Sequence, residues 1–525
     1  MKRIVLYPFL FVLYIVLDPL INNLDQIIPS QALRPLLVLI SITFVGLLLF
    51  FELFKDWHYA GYLVFLALAF FFIFGHLNRV LQAWIQPNHD WIQFALLGLW
   101  GIILIAFGLR KTWMRLGGAQ RITPLLNSVL AIAVLTLPLF GFSRLSRGLP
   151  SLVNPAAAKP PALPETGDAI TLDCSNRPDI YYLILDGYGR ADVLKQLYGL
   201  DNTPFLDYLR RKGFYVAGQS HPNYMQTIFS IPSALNFTYL QAEPPGVSGL
   251  DYFTNLISEN RVMHLLKQCD YRTMAFQTGF YFTNHPDVDI YYSAGSSLNE
   301  FESLLVSGTP LDLLANQLDL KPSDQSYSAH RRRILFDFEK LGHIPKIPGP
   351  KFVFAHIISP HPPFVFDATG GAIQPSWSYS VGDGDDFPGT WADYQEGYAG
   401  QVQFVNHMLE RAIDVILSQS ATPPIIILQG DHGPGGFLNW SSPDQSCLWE
   451  RTSILNAYYL PAGAERYLYP SISPVNSFRV VLNAYFGTDL ELLPDKTYFT
   501  SHRLPRRIID ITDERQSTQN CASAP

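Results

Sequence analysis

Five uncharged apolar runs crowd into the first third of this 525-residue chain, and no other feature restricts its folding as strongly. A helix needs roughly 20 residues to cross about 30 Å of hydrocarbon, where every backbone polar group must find its partner within the segment. Ile4 to Leu17 is short alone but is extended through Asp18 to Leu24; Pro35 to Phe51, Tyr59 to Gly75, Trp91 to Leu109 and Ile122 to Ser143 follow. These runs predict an α-helical transmembrane bundle of five spans over residues 1–147. No small-residue cleavage pattern follows the first run, so it reads as a retained anchor.

Cytoplasmic loops keep Lys and Arg, which fixes the expected orientation. With the N-terminus inside, the inner segments hold Lys2, Arg3, Lys55, Arg110, Lys111, Arg115 and Arg121. The outer segments hold Arg34 and Arg79, plus Arg144 and Arg147 after the last span. The chain is thus expected to be a multi-pass cell-membrane protein with a cytoplasmic N-terminus and everything after about residue 145 extracytoplasmic. Trp57, Trp91 and Trp113 near run ends fit interfacial positions. Asp18 and Glu52 are the acidic residues touching the runs, each at an end, whereas transporters place ionisable groups at mid-membrane. An anchor that also keeps a lipid substrate at hand is the better reading.

Charged residues make up 15% of the chain, against about 25% in soluble proteins, and the deficit belongs to the anchor. Net charge is −7 without long blocks of one sign, which argues against nucleic acid as a partner. Residues 148–178, rich in Pro and Ala, read as a semi-rigid linker. The segment 179–500 reads as a catalytic domain and 501–525 as a tail.

Within that domain Ile180 to Leu185, Tyr271 to Phe276, Lys351 to Ile358, Pro424 to Leu428 and Asn456 to Leu460 have the continuous apolar character of buried strands. Thr203 to Lys212, Glu259 to Gln268 and Gln395 to Gln419 read as helices. The alternation predicts an α/β domain with a mostly parallel sheet covered by helices, and such folds bind ligands at the carboxyl ends of the strands.

Chemistry-bearing residues cluster at those ends. The first strand runs directly into Asp186-Gly187, where a carboxylate either caps the next helix or serves a site. Another runs into Gly430-Asp431-His432-Gly433, a carboxylate and imidazole pair suited to a divalent cation such as Mn2+ or Zn2+, with Mg2+ less fond of imidazole, or to a plain hydrogen-bonded turn. Thr227, Ser230 and Ser233 lie at a probable helix start, where they either cap the helix or present a hydroxyl that a metal can activate.

The order of these pieces is more specific than any one of them. Strand-Asp186-Gly, Thr227-x-x-Ser230-x-Pro232, Ser359-Pro360-His361-Pro362-Pro363-Phe364 and Gly430-Asp431-His432-Gly433 together resemble the sulfatase-like branch of the alkaline phosphatase superfamily, from about Pro178 to Tyr459. The likeness is greatest to its membrane-anchored members, the lipoteichoic acid synthases and phosphoethanolamine transferases, which carry five spans and an external catalytic domain. The resemblance implies Asp186, Asp431 and His432 as metal ligands, Thr227 as nucleophile and further ligand, and His361 as a substrate contact. Mn2+ is the first choice of metal, with Mg2+, Zn2+ or Ca2+ as alternatives. It further implies a phosphotransferase or phosphodiesterase acting on a membrane lipid or polyol phosphoester.

Departures narrow this. Aldehyde-hydrate sulfatases carry C/S-x-P-x-R, but Ser230-Ile231-Pro232-Ser233-Ala234 lacks the arginine, which disfavours the alternative of sulfuric ester hydrolysis. None of the 13 histidines follows an Asp at the spacing used for a second ion, so one metal is expected. A non-catalytic receptor built on a decayed enzyme should have lost ligands, and all four core positions are present. Asp383, Asp385 and Asp386 read as a solvated acidic loop, and Arg331, Arg332 and Arg333 as a charged helix face. His285 is a lesser candidate for substrate contact. Cys174, Cys269, Cys447 and Cys521 allow three pairings, among which the sequence does not choose.

Overall fold

The computed structural model describes residues 4–22, 32–85, 97–102, 118–140, 170–240, 249–294 without 281 and 286, 300–306, 309–311, 327–501 without 374, 376 and 378, and 508–521. The chain divides into two compact units, Met1–Asn154 with Gly295–Gln325, and Pro155–Ala294 with Ser326–Pro525.

The first unit contains helices α1 (Tyr7–Asn22), α2 (Leu33–Phe54), α3 (Trp57–Ile85) and α4 (Gly118–Phe140). Leu33–Phe54, Trp57–Phe74 and Gly118–Leu137 are long and apolar enough to cross a membrane, while Tyr7–Ile21 is a shorter apolar helix. The expected span Trp91 to Leu109 lies mostly outside the described residues. Phe11, Val12, Leu47, Ala60, Val64 and Leu68 interlock between α1, α2 and α3. Leu37, Phe44, Leu49 and Leu53 of α2 and Leu125, Ile132 and Leu135 of α4 instead stand exposed. An outward apolar surface of this kind is stable against lipid rather than water. Several polar groups inside the unit find partners there. Asn127 of α4 accepts the Leu6 and Tyr7 amides at 3.1 and 2.8 Å and donates to the Ile4 carbonyl at 2.8 Å, so it satisfies orphan donors at the start of α1. The short helix Glu300–Val306 also belongs here: Phe301 packs with Val16 and Ala32, and Arg34 donates to the buried Glu302 carboxylate.

The second unit is built on a seven-stranded sheet of β1 (Ile180–Leu185), β2 (Tyr215–Val216), β3 (Arg272–Phe276), β4 (Ile290–Tyr292), β5 (Lys351–Ile357), β6 (Ile425–Gly430) and β7 (Asn456–Tyr459). Their order across the sheet is β2-β7-β6-β1-β5-β3-β4. All pairings among β6, β1, β5, β3 and β4 are parallel; β7 pairs antiparallel with β6 and β2. The sheet is therefore mostly parallel, as expected, with an antiparallel edge. Alternation along β1 sends Tyr181, Leu183 and Leu185 into one core and Ile180, Tyr182 and Ile184 into the other, which explains its unbroken apolar run.

Two helices matter for the site. α5 (Thr227–Leu235) is buried along nearly its whole length. α6 (Trp391–Gln419) begins four residues earlier than the apolar spacing indicated, because Thr390 and Asp393 form a reciprocal cap at its start. The cysteine pairing left open by the sequence is Cys174 with Cys269 and Cys447 with Cys521.

Candidate active site

Register brings the site together. Leu185 at the end of β1 lies opposite Gly430 of β6 and Ile357 of β5, so the three central strands end level and release Asp186, Asp431 and Ile358 at one edge. Main-chain bonds hold the turns: the Asp186 amide donates to the Ile357 carbonyl at 3.0 Å, and the His361 amide donates to the Asp186 carbonyl at 2.9 Å. The Gly187 amide donates to Asp431 Oδ1 at 3.1 Å. Gly187 has φ +73°, and a Cβ there would lie 3.6 Å from the His361 backbone, so glycine suits this crossing.

The edge gathers Asp186, Asp431, His432 and Thr227, all buried. His432 Nε2 is 3.1 Å from Thr227 Oγ1, 3.4 Å from Asp186 Oδ1 and 3.5 Å from Asp431 Oδ2. His432 Nδ1 sits 3.0 Å from the Gly433 carbonyl, which can only accept, so Nδ1 carries the hydrogen and Nε2 presents a lone pair. Burial, then the Arg451 guanidinium, pushes the imidazole below its ordinary pKa, which keeps it neutral. Burial opposes the Asp186 charge, but the His361 imidazole and the hydrogen bond from His356 outweigh it and hold the carboxyl below the usual range.

Two carboxylate oxygens are left over. Among the described residues, neither Asp186 Oδ1 nor Asp431 Oδ2 has a hydrogen-bond partner. Orphaned buried acceptors are costly, and three acceptors turned toward one another repel unless a cation lies among them. The separations of 3.1 to 3.5 Å from His432 Nε2 are those that ligands of one divalent cation keep when each bond is about 2.1 Å. Two carboxylates, an imidazole and a hydroxyl could thus hold one divalent ion.

His361 stands at the border of this group. One nitrogen each of His361 and His432 and an Asp186 oxygen lie within 4.8 Å of one another. His361 Nδ1 is 2.7 Å from the Pro362 carbonyl and must donate to it, so Nε2 is the atom facing the site. Ser230 Oγ donates to the Asp431 carbonyl at 2.7 Å, which commits it to supporting the turn.

Sequence reasoning passed over His356 and Asp383. His356 Nε2 is 3.2 Å from Asp186 Oδ2. His356 is the polar residue of an otherwise apolar stretch, pairs with Ile184 in register and shares the face of Asp186 two residues on, a signal that was available. The solvated acidic loop is corrected at Asp383, while Asp386 is exposed: Asp383 is buried, accepts from Tyr394 Oη at 2.7 Å and from Arg451 at 2.6 Å, and lies 3.7 Å from His361 Nε2. The charged helix face is corrected too. Arg333 is buried, and Arg331 donates to the Val365 and Gly370 carbonyls. His285 Nε2 donates to the Ile257 carbonyl at 2.6 Å and is thereby committed to the main chain.

Glu450 lies under the same turn, accepting from Tyr198 Oη at 2.5 Å and the Phe437 amide at 2.9 Å. Burial pushes its carboxyl up to about 8. The unfolded chain then releases this proton near pH 4.5 while the folded chain keeps it, so stability falls as pH rises from about 4.5 to 8. Glu450→Gln, which mimics the protonated form, is expected to reduce that fall. Thermal melts at pH 5 and pH 8 measure it, and an equal fall in both proteins would contradict the assignment.

A sequence model of the sulfatase family matches residues 178–469. No curated protein matches the sequence. Among solved structures, the C-terminal periplasmic domain of EptC from Escherichia coli, in complex with zinc, is similar at 14% identity over 68% of this chain and 100% of its own, with a TM-score of 0.42. The periplasmic domain of phosphoethanolamine transferase EptC from Campylobacter jejuni is similar at 12% identity over 59% of this chain and 90% of its own, with a TM-score of 0.35. The lipoteichoic acid synthase LtaP from Listeria monocytogenes is similar at 14% identity over 63% of this chain and 79% of its own, with a TM-score of 0.37.

Proposed function

We propose, since this chain belongs to the sulfatase family, that it is a membrane-anchored metalloenzyme that cleaves or transfers phosphoester groups of a membrane lipid or polyol phosphoester through Thr227. The observation carrying this reading is the meeting of three buried acceptors, on Asp186, Asp431 and His432, with the single hydroxyl of Thr227. Asp186, Asp431, His432 and Thr227 would hold one divalent ion, Mn2+ in first place. When bound, such an ion lowers the pKa of a ligating hydroxyl and neutralises charge on phosphoryl oxygens.

The chain's own groups divide the work. The Thr227 hydroxyl proton is released to solvent, Oγ1 forms the new bond to phosphorus, and the bond from phosphorus to the first alcohol breaks, leaving a phosphothreonine. His361 Nε2 faces the site and, when the imidazole carries a second proton, can hold phosphoryl oxygens or give that proton to the departing alcohol. Water or a second alcohol then takes the phosphoryl group and Thr227 regains its proton. Water gives hydrolysis and an alcohol gives transfer.

Five spans over residues 1–147, a linker over 148–178 and an extracytoplasmic catalytic domain over 179–500 complete the proposal. Support for the compartment comes from the two disulfides, because such bonds persist in oxidising surroundings. Support also comes from Arg34, assigned to the outer side by the charge rule, which pairs with Glu302 from the later part of the chain. The test is turnover of aryl phosphodiester, phosphomonoester and sulfate ester by the full chain in detergent, with Mn2+ and with chelator. The diester is expected to react fastest and chelation to lower its rate at least about a hundredfold. Preference for the sulfate ester, or indifference to chelation, would overturn the proposal.

A further inference from the structure

We propose that Arg451 is the positioning residue that locks the Thr227 turn and the Asp431-His432 turn into one geometry, with Asp383 as its counter-charge. The inference rests on the function proposed above and concerns a residue outside every motif that carries it.

Arg451 is 1% exposed, and a buried guanidinium is costly unless its donors are used. Its Nε donates to the Met225 carbonyl at 3.0 Å, and its Nη1 donates to the Gly433 carbonyl at 3.1 Å and to Asp383 Oδ2 at 2.6 Å. Met225 is two residues before the nucleophile and Gly433 directly follows His432, so one planar fork spans both turns. Gly433 is gripped twice, because its amide also donates to the Arg451 carbonyl at 2.8 Å. A Cβ on Gly433 would fall 2.2 Å from the Glu450 carbonyl oxygen, which leaves glycine as the residue able to thread this grip. Through Asp383 Oδ2, 3.7 Å from His361 Nε2, the same ion pair reaches the turn after β5.

Asp383 is itself fixed, with Tyr394 donating to its other oxygen. The disulfide Cys447–Cys521 sits directly before the short helix Leu448–Arg451 that presents the arginine. Groups that orient metal ligands typically account for a 10- to 100-fold change in metal affinity, and a displacement of about 1 Å at a reacting atom costs about a hundredfold in rate.

The test compares Arg451→Met, Arg451→Lys and Asp383→Asn with the unmodified full chain in detergent. The readouts are calorimetric titration of chelated protein with Mn2+, kcat and KM on an aryl phosphodiester, and thermal midpoint. Arg451→Met is expected to lose about 10- to 100-fold in Mn2+ affinity and about a hundredfold in kcat, with KM changed less than about threefold. Arg451→Lys keeps the charge but not the fork, so it should regain part of the affinity and little of the kcat. Asp383→Asn leaves both carbonyl bonds in place and covers the case in which Arg451→Met does not fold; a smaller loss of kcat at unchanged Mn2+ affinity is expected. Folded variants that match the unmodified chain in Mn2+ affinity and kcat would overturn the inference, as would losses proportional to the unfolded fraction alone. If the unmodified chain turns over no ester, the functional proposal fails instead, and the Mn2+ titrations still decide the role of Arg451.

Discussion

Thr227→Ala is expected to reduce turnover by at least about a thousandfold while KM changes less than about threefold, because it removes the bond-forming atom, itself one of the proposed metal ligands, and no group assigned to substrate binding. The structural cost should be small. Among the described residues the hydroxyl makes one hydrogen bond, to His432 Nε2 at 3.1 Å, and a lost bond of this kind is worth about 1 kcal/mol. The start of α5 does not depend on it either, since Gln226 occupies the cap position in extended conformation. Thr227→Ser gives the discriminating comparison. It keeps the oxygen but loses the methyl that restricts the side chain to few rotamers, so a moderate loss is expected. Mass spectrometry of denatured protein quenched during turnover should find phosphate on the peptide containing Thr227 and none after Thr227→Ala. Undiminished turnover by Thr227→Ala would end the nucleophile assignment.

How far the sequence led depends on which physical signal each element carries. β1 was legible to the residue because burial on both faces demands an uninterrupted apolar run, and its end therefore marked Asp186. Order along the chain was the cue to Thr227, Asp431 and His432 as a set; level strand ends place Asp431 and His432 beside Asp186, and the start of α5 brings the Thr227 hydroxyl to His432. The direction of β7 was not legible, because parallel and antiparallel buried strands share the same apolar character. Asp383 and Arg451 were missed for a related reason. A buried ion pair formed by residues 68 positions apart looks, residue by residue, like two solvated charges. The helix Glu300–Val306 offered no cue either, since nothing in seven residues announces that Phe301 will pack with Val16 and Ala32 rather than within the second unit.

Asp431→Asn should move the thermal midpoint in opposite directions according to whether metal is present. In the unmodified chain with chelator, Asp186 Oδ1, Asp431 Oδ2 and the His432 Nε2 lone pair face one another with the Thr227 hydroxyl as the nearby donor. Replacing one carboxylate oxygen by an amide nitrogen removes a charge and adds a donor among acceptors, while the remaining oxygen can still accept the Gly187 amide. The chelated variant should therefore melt at or above the unmodified chain. Adding Mn2+ at a thousand times its dissociation constant stabilises a protein by about 4 kcal/mol, provided the unfolded chain does not bind it. That gain should raise the midpoint of the unmodified chain by several degrees and largely vanish in Asp431→Asn, so that the order of the two proteins inverts. Asp186→Asn should likewise lose the gain from Mn2+, because it too removes an orphaned oxygen, but its chelated form should melt below the unmodified chain, since the facing His361 and His356 imidazoles favour the Asp186 charge. A variant stabilised by Mn2+ as much as the unmodified chain would exclude Asp431 as a ligand. A chelated variant that melts far below the unmodified chain would show instead that Asp431 acts through the fold, by its bond to Gly187, and not by waiting for a cation.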